Sequence, residues 1–173
     1  MKKFIYLFIL AIASTIFFSC NEEDKDEVEW RDKNIEAYDK ITVDPTFSRL
    51  TPSTGGPTGV YRRVIEKGNG IEYPYQSAKV KVNYKGSFYE GTVFDAGTSV
   101  TGVPATFRVD GVIRGFSTAL QHMVVGDKWE VVIPYELGYG AYGLRDDYGN
   151  ILINGYSTLF FEVELLEIDQ NPK

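Results

Sequence analysis

Three stretches of this chain gather aromatic and branched apolar side chains with few reactive groups among them. They are Val112-Ile113-Arg114-Gly115-Phe116, Val131-Val132-Ile133-Pro134-Tyr135-Glu136-Leu137-Gly138-Tyr139-Gly140 and Thr158-Leu159-Phe160-Phe161-Glu162-Val163-Glu164-Leu165-Leu166. Tyr139 stands between two glycines, a pattern that lets backbone approach an aromatic ring closely. No nucleophile, metal-ligand cluster or phosphate-cradling loop accompanies these residues. An apolar, aromatic-walled pocket of this kind suits a reaction that makes and breaks no covalent bond. His122 is the only histidine; it falls opposite the apolar stripe of its helix, reads as solvated, and has no cysteine partner for a metal. Asp146-Asp147 is too short for a calcium loop of the EF-hand type.

The elements that must hold these residues are mainly strands. Val60 to Glu66 reads as a first strand, ended by Lys67-Gly68-Asn69-Gly70. Val80, Val82 and Tyr84 alternate with Lys79, Lys81 and Asn83, the period of two expected of a half-buried strand. Phe107 and Val109 form another short strand, and Trp129, Val131 and Ile133 repeat the alternation. Leu159, Phe161, Val163 and Leu165 give the cleanest case, with Glu162 and Glu164 on the other face. One short helix is predicted among them, because Phe116, Ala119, Leu120 and Met123 recur at helical spacing; Gly126-Asp127 closes it. An antiparallel sheet with one amphipathic helix on a face is an α+β arrangement. By themselves, aromatics on alternating strand positions such as Tyr84, Phe94 and Phe161 read as core, and Asp95 reads as a turn residue.

The N-terminal part is different. Lys2 and Lys3 precede an uncharged, mostly apolar run from Phe4 to Phe18, and Ser19-Cys20 follows at once. The run is short for a membrane span, which needs about 20 residues, and reads better as a signal peptide. Phe17-Phe18-Ser19-Cys20 resembles the box that directs cleavage and lipid attachment in bacterial lipoproteins, in a Bacteroidetes-like variant. That resemblance implies a signal peptide over residues 1–19, lipid on Cys20, and export to the cell envelope, with the outer membrane as the expected site. An ordinary signal peptide with an incidental cysteine is the plainer alternative. Cys20 is the only cysteine, so no intramolecular disulfide forms.

Residues 21–40 carry nine acidic and four basic side chains, so much of the formal charge of −6 lies there. The net acidity disfavours nucleic acid as a partner, since phosphate binding needs clustered Lys and Arg. Glu22-Glu23-Asp24 reads as a solvated spacer, and it also resembles the acidic tag that sends some Bacteroidetes lipoproteins to the cell surface. Trp30, Asn34, Ala37, Tyr38 and Ile41 share one helical face. Asn34 interrupts that stripe, so this helix is expected to dock only loosely. Pro52, Gly55, Gly56, Pro57 and Gly59 mark a linker. The expected organisation is therefore an acidic tether over 20–58 and a compact domain over 59–173.

Taken in order, Val82-Asn83-Tyr84-Lys85-Gly86, Val93-Phe94-Asp95, Val112-Ile113-Arg114-Gly115-Phe116, Ile133 to Gly140 and Phe161-Glu162-Val163-Glu164-Leu165-Leu166 resemble the FK506-binding-protein (FKBP) type of peptidyl-prolyl cis–trans isomerase. The likeness spans residues 59–168. It implies a strongly curved antiparallel sheet of five to six strands wrapped around one short helix, with the substrate proline between the two. Carried over by position, Tyr84, Phe94 and Asp95 match the pocket wall and its acidic group. Val112 and Ile113 match the loop before the helix, whose Ile113 N–H bonds a substrate carbonyl. Phe116 matches the floor, Tyr139 the tyrosine that meets the substrate, and Ile153 and Phe161 the far wall. Proline-containing polypeptides are the implied substrates, FK506-like macrolides are implied ligands, and no cofactor is implied.

The chain departs from the family pattern in several places. Phe116 stands where Trp is common, and Ala105 where many members have a pocket Phe. The loop from Asp95 to Pro104 is slightly longer, and the stretch from Phe107 to Ile113 shorter. Ile153-Asn154-Gly155-Tyr156-Ser157 lacks the prolines that many members carry there, which is expected to loosen the loop from Tyr142 to Ser157. These departures bear on substrate preference and drug affinity more than on turnover. Two other readings stand beside isomerisation: a non-catalytic binding module serving as a chaperone or as part of an envelope machine such as that of gliding motility, and a glycan-binding lipoprotein using Tyr139, Tyr142, Tyr148 and Tyr156.

Overall fold

The structure, a computed structural model, describes residues 25–51, 59–97 and 103–171. The signal stretch, Cys20, the acidic spacer and the Pro/Gly linker fall outside the described residues. Helix α1 (Lys25–Val43) comes first, followed by β1 (Ser48–Arg49), β2 (Tyr61–Glu66), β3 (Lys79–Ser87), β4 (Val93–Gly97) and β5 (Ala105–Arg108). Helix α2 (Arg114–Leu120), β6 (Lys128–Ile133), β7 (Leu144–Arg145), β8 (Ile151–Ile153) and β9 (Leu159–Asp169) complete the order. Short 3-10 turns cover Val109–Gly111 and Tyr135–Leu137.

The main sheet runs β1-β2-β6-β9-β3-β4, with β5 also paired to β3, and its mapped pairings are antiparallel. It has seven strands rather than five to six, because Ser48–Arg49 adds a short edge strand on β2 and β4 and β5 count separately. Those last two share one edge of β3: Tyr84–Ser87 pair with β4 and Lys79–Val82 with β5. The chain thus leaves the sheet edge and returns to it around the future site. A register shift between Lys81 and Val82 interrupts the long β3–β9 ladder, the kind of irregularity that bends a strand.

The alternation read from sequence points inward as expected. Val80, Val82, Trp129, Val131, Ile133, Leu159, Phe161, Val163 and Leu165 are buried around α2, with Phe116, Ala119, Leu120 and Met123 facing them. The opposite face is studded with charge: Lys81 meets Glu167 at 3.0 Å and Lys128 meets Glu162 at 3.1 Å. Helix α2 stops at Leu120, earlier than its apolar stripe suggested; Met123 is delivered to the core through turns in which the His122 and Met123 amides bond Ala119 and Leu120 carbonyls. Gly115 is what lets α2 lie this close, since a Cβ there would come within 2.2 Å of Ile133 Cγ2. His122, expected to be solvated, is instead half-buried, with its ring nitrogens 2.8 Å from the Thr118 and Thr51 carbonyl oxygens.

The larger correction concerns α1. It docks on the domain through specific contacts to Thr158, Gly59 and Tyr61, and Asn34 is the reason rather than the obstacle. The Asn34 side chain is fully buried; its Oδ1 accepts the Thr158 N–H at 2.9 Å and its Nδ2 donates to the Trp30 carbonyl at 2.8 Å. The Thr158 hydroxyl donates to the Asn34 carbonyl at 3.0 Å. One turn on, the Tyr38 hydroxyl bonds the Gly59 carbonyl at 2.8 Å and its ring meets Tyr61 edge to face at 5.9 Å. A polar residue in an apolar stripe was read as an interruption, whereas here it answers a backbone group that would otherwise be buried unpaired. Leu50 is buried as well, so packing reaches N-terminal to the boundary expected near Gly59.

Replacing Asn34 with Ala strands the buried Thr158 N–H. The expected loss is about 1–3 kcal/mol of stability, read as a lower urea midpoint at unchanged slope.

Candidate active site

The site is organised by a row of side chains on one face of β3. Tyr84 and Gly86 are two apart on β3 and project to the same side, and Phe88 follows two residues later, just past the strand's end. The middle member has no side chain, and two phenyl rings occupy the space above it: a Cβ on Gly86 would come within 2.7 Å of Phe94 Cζ and 2.8 Å of Phe161 Cε1. Phe94 arrives from β4, whose register sets Asp95 opposite Gly86; Phe161 arrives from β9, directly opposite Gly86 on the other side. Their rings meet edge to face at 5.7 Å. Phe116, from the first turn of α2, closes the base, 4.9 Å from Phe161 and 6.2 Å from Tyr84.

Of the residues singled out in the sequence, Tyr84, Phe94, Phe116 and Phe161 thus form one connected aromatic surface. Tyr84, Phe94, Val112, Ile113 and Tyr139 pack half-buried against the common core. Val112 and Ile113 lie in the extended link between the 3-10 turn and α2, with Ile113 as its N-cap residue. Ile153 is buried in the same core, but its position is set by the small β7–β8 ribbon, where it pairs with Leu144. Two contributors were missed. Phe107 was read only as a strand residue, yet its ring lies 5.4 Å from Tyr84 and 6.4 Å from Phe116. It follows Ala105 by two positions on β5, so it serves the same face, and that spacing was the available signal. Phe88 stacks 5.0 Å from Phe94, and its place in the row after Tyr84 and Gly86 was the corresponding clue.

The hydroxyls that reach this surface stay neutral. The Tyr84 hydroxyl is pushed well above its ordinary range, first by burial, then by its hydrogen bond to the Asp95 carboxylate and that group's charge. Tyr139 is also raised, by burial and then by the charge of Asp95. Both phenols therefore remain hydrogen-bond donors at physiological pH, around a single exposed carboxylate. With no acid or base poised to exchange protons, the arrangement can grip an amide and surround it with ring carbon.

These shifts fix the sign of a pH effect. A tyrosine whose pKa rises on folding contributes stability that is intact below its unfolded value near 10 and is lost as pH climbs through the folded value. Tyr38, pushed up to about 12 chiefly by burial, acts in the same direction. The melting temperature is expected to drop above pH ~10. In Asp95→Ala the Tyr84 phenol should ionise at lower pH than in the parent, as followed by phenolate absorbance.

Comparison with known proteins agrees with this geometry. The family model described as FKBP-type peptidyl-prolyl cis-trans isomerase matches residues 71–166. The FKBP-type 22 kDa peptidyl-prolyl cis-trans isomerase of Escherichia coli (strain K12) is 47% identical over 111 residues, covering 64% of this chain and 50% of that protein. The outer membrane protein MIP of Legionella longbeachae is 42% identical over 112 residues, covering 65% and 45% respectively. The chain spans about half the length of such curated relatives. Among solved structures, FkpA from Escherichia coli superposes with a TM-score of 0.70 at 34% identity, covering 99% of this chain and 75% of that one. A peptidyl-prolyl cis-trans isomerase from Pseudomonas syringae also reaches 0.70, at 31% identity, with 85% and 98% covered. With the family model covering most of the sheet, α2 and the aromatic cleft, the chain belongs to the FKBP-type peptidyl-prolyl cis–trans isomerase family.

Proposed function

We propose that this chain is a peptidyl-prolyl cis–trans isomerase that accelerates Xaa-Pro rotation in exported polypeptides. The observation that carries the reading is the convergence of Tyr84, Phe94, Phe116 and Phe161 into one aromatic surface edged by neutral phenols. The Xaa-Pro bond turns over a barrier of about 18–20 kcal/mol, because resonance holds the amide planar and makes it strongly dipolar. At a right angle that resonance is lost and the carbonyl is less polar. A dry, aromatic cleft therefore disfavours the planar form more than the twisted one, which is selective stabilisation of the transition state. Phe94, Phe107, Phe116 and Phe161 supply the dry surface. The Ile113 N–H and the Tyr139 hydroxyl hold the backbone on one side of the bond while the other side turns. Asp95 orients Tyr84 and transfers no proton. An acceleration of 10⁴ to 10⁶ needs about 5–8 kcal/mol, within reach of packing plus a few oriented dipoles.

The envelope is the proposed place of work. The basic start, the apolar run and Ser19-Cys20 support a lipid anchor on Cys20, and a relative is named an outer membrane protein. Among the described residues no helix is long and apolar enough to cross a membrane. Residues 20–24 extend at most about 17 Å, so α1 would begin close to the bilayer surface. One observation favours the non-catalytic alternative, a holding chaperone: Tyr142 and Tyr148 are 93% and 92% exposed beside the exposed Ile151 and Leu152 of β8, a surface able to take unfolded chain without turnover.

The deciding assay is isomerisation of an Xaa-Pro peptide by a soluble form spanning residues 21–173. We expect clear turnover, inhibition by an FK506-like macrolide, a drop in kcat/KM of about tenfold or more for Phe161→Ala, and about two- to tenfold for Tyr139→Phe. Turnover at the uncatalysed rate would leave the binding module. Separately, Cys20→Ser should move the full chain from the membrane fraction to the soluble one.

A further inference from the structure

We infer that Trp30, on a helix outside the family-matched region, is a positioning residue for the proline cleft. The inference rests on the isomerase reading, in which Trp30 itself has been given no role. Trp30 stands at a junction. Its ring meets Phe88 edge to face at 5.4 Å and Tyr89 at 5.6 Å, both in the turn that joins β3 to β4. Its indole N–H donates to the Gly155 carbonyl at 3.1 Å, two residues beyond Ile153. A single side chain thus joins the turn that delivers Phe94 and Asp95 to the segment that follows β8.

From Phe88 the contact continues inward without a gap. Phe88 lies 5.0 Å from Phe94, Phe94 lies 5.7 Å from Phe161, and Phe161 lies 4.9 Å from Phe116. The turn itself is short, closed by the Phe88 N–H to Thr92 and the Gly91 N–H to Phe88 carbonyls at 2.9 Å each. Phe88 is therefore the link through which the position of α1 reaches Phe94. Asn34, a turn further along, holds α1 to Thr158 and so fixes where Trp30 sits. Residues after Ile153 lack the prolines that would stiffen them, and the Trp30–Gly155 bond restrains that same segment from outside.

The test compares Trp30→Ala, Trp30→Phe and Tyr38→Phe in the chain from Asn21 onward, which keeps every described residue. Tyr38→Phe removes the Gly59 bond at the other end of α1 and serves as a match for lost stability. Three readouts are taken: melting temperature, kcat/KM on an Xaa-Pro peptide, and NMR resonances of the Phe94 and Phe161 rings. Trp30→Ala is expected to lower kcat/KM about three- to tenfold and shift both ring resonances, with Trp30→Phe recovering most of the loss and Tyr38→Phe leaving both readouts in place. If Trp30→Ala lowers only the melting temperature, as Tyr38→Phe does, and neither kcat/KM nor the ring resonances move, the inference is overturned. Should the parent chain itself lack turnover, the isomerase reading fails and the ring resonances alone decide whether Trp30 positions the cleft.

Discussion

Phe94 and Phe161 meet edge to face directly above Gly86, where a single added carbon would sit within 3 Å of both rings. Much of the site follows from that close approach. Two strands on opposite sides of β3 must bring their phenyl groups over the same backbone position, which fixes the register of β4 and β9 together. Once they do, Phe116 from α2 can close against Phe161, and α2 can reach that depth because Gly115 presents no side chain to Ile133. The cleft is thus specified by two absences, at Gly86 and Gly115, as much as by the rings that fill the space.

The same closeness governs the electrostatics. A cleft lined with ring carbon penalises any charge brought into it, so the polar groups that reach inward are phenols raised by burial. The carboxylate of Asp95 remains exposed and accepts the hydrogen bond of the Tyr84 hydroxyl. This division matters for bond rotation. In the proposed isomerase, a charge in the cleft would favour the dipolar planar amide, whereas neutral donors would orient the flanking carbonyls and leave the twisted form comparatively stable.

Strand alternation was legible in the sequence because each buried position sees only one environment: Val80 and Val82, Trp129 and Val131, Leu159 to Leu165 all faced where their period placed them. The curved sheet around one short helix, and most of the aromatic surface, followed from those strands and the family motifs. What was not legible depended on partners distant in sequence. Asn34 looks like a flaw in an apolar stripe until Thr158 is set beside it, and nothing local announces a partner so far along the chain. Phe107 follows the smaller Ala105 by two, which puts both on one face, so the ring lost at one position is supplied two residues later. The partial burial of His122 is hidden for the same reason, since Thr51 reaches it from a distant part of the chain.

The floor of this cleft is a phenyl ring where the family often has an indole, so less ring surface would be available to the proline of the proposed substrate. A smaller contact area can still discriminate between planar and twisted amides if its walls do not yield, because the preference depends on shape held constant through the rotation. Here the wall is supported from two sides. Phe107 braces Tyr84 and Phe116 from β5, and Phe88 braces Phe94 from the β3–β4 turn. Helix α1 lies behind the second of these supports, fastened by Asn34 to Thr158, the residue just before the strand that carries Phe161. Helix α1 and the sheet that carries the aromatic cleft are therefore parts of one packed structure, in which residues well outside the cleft hold its aromatic walls in register.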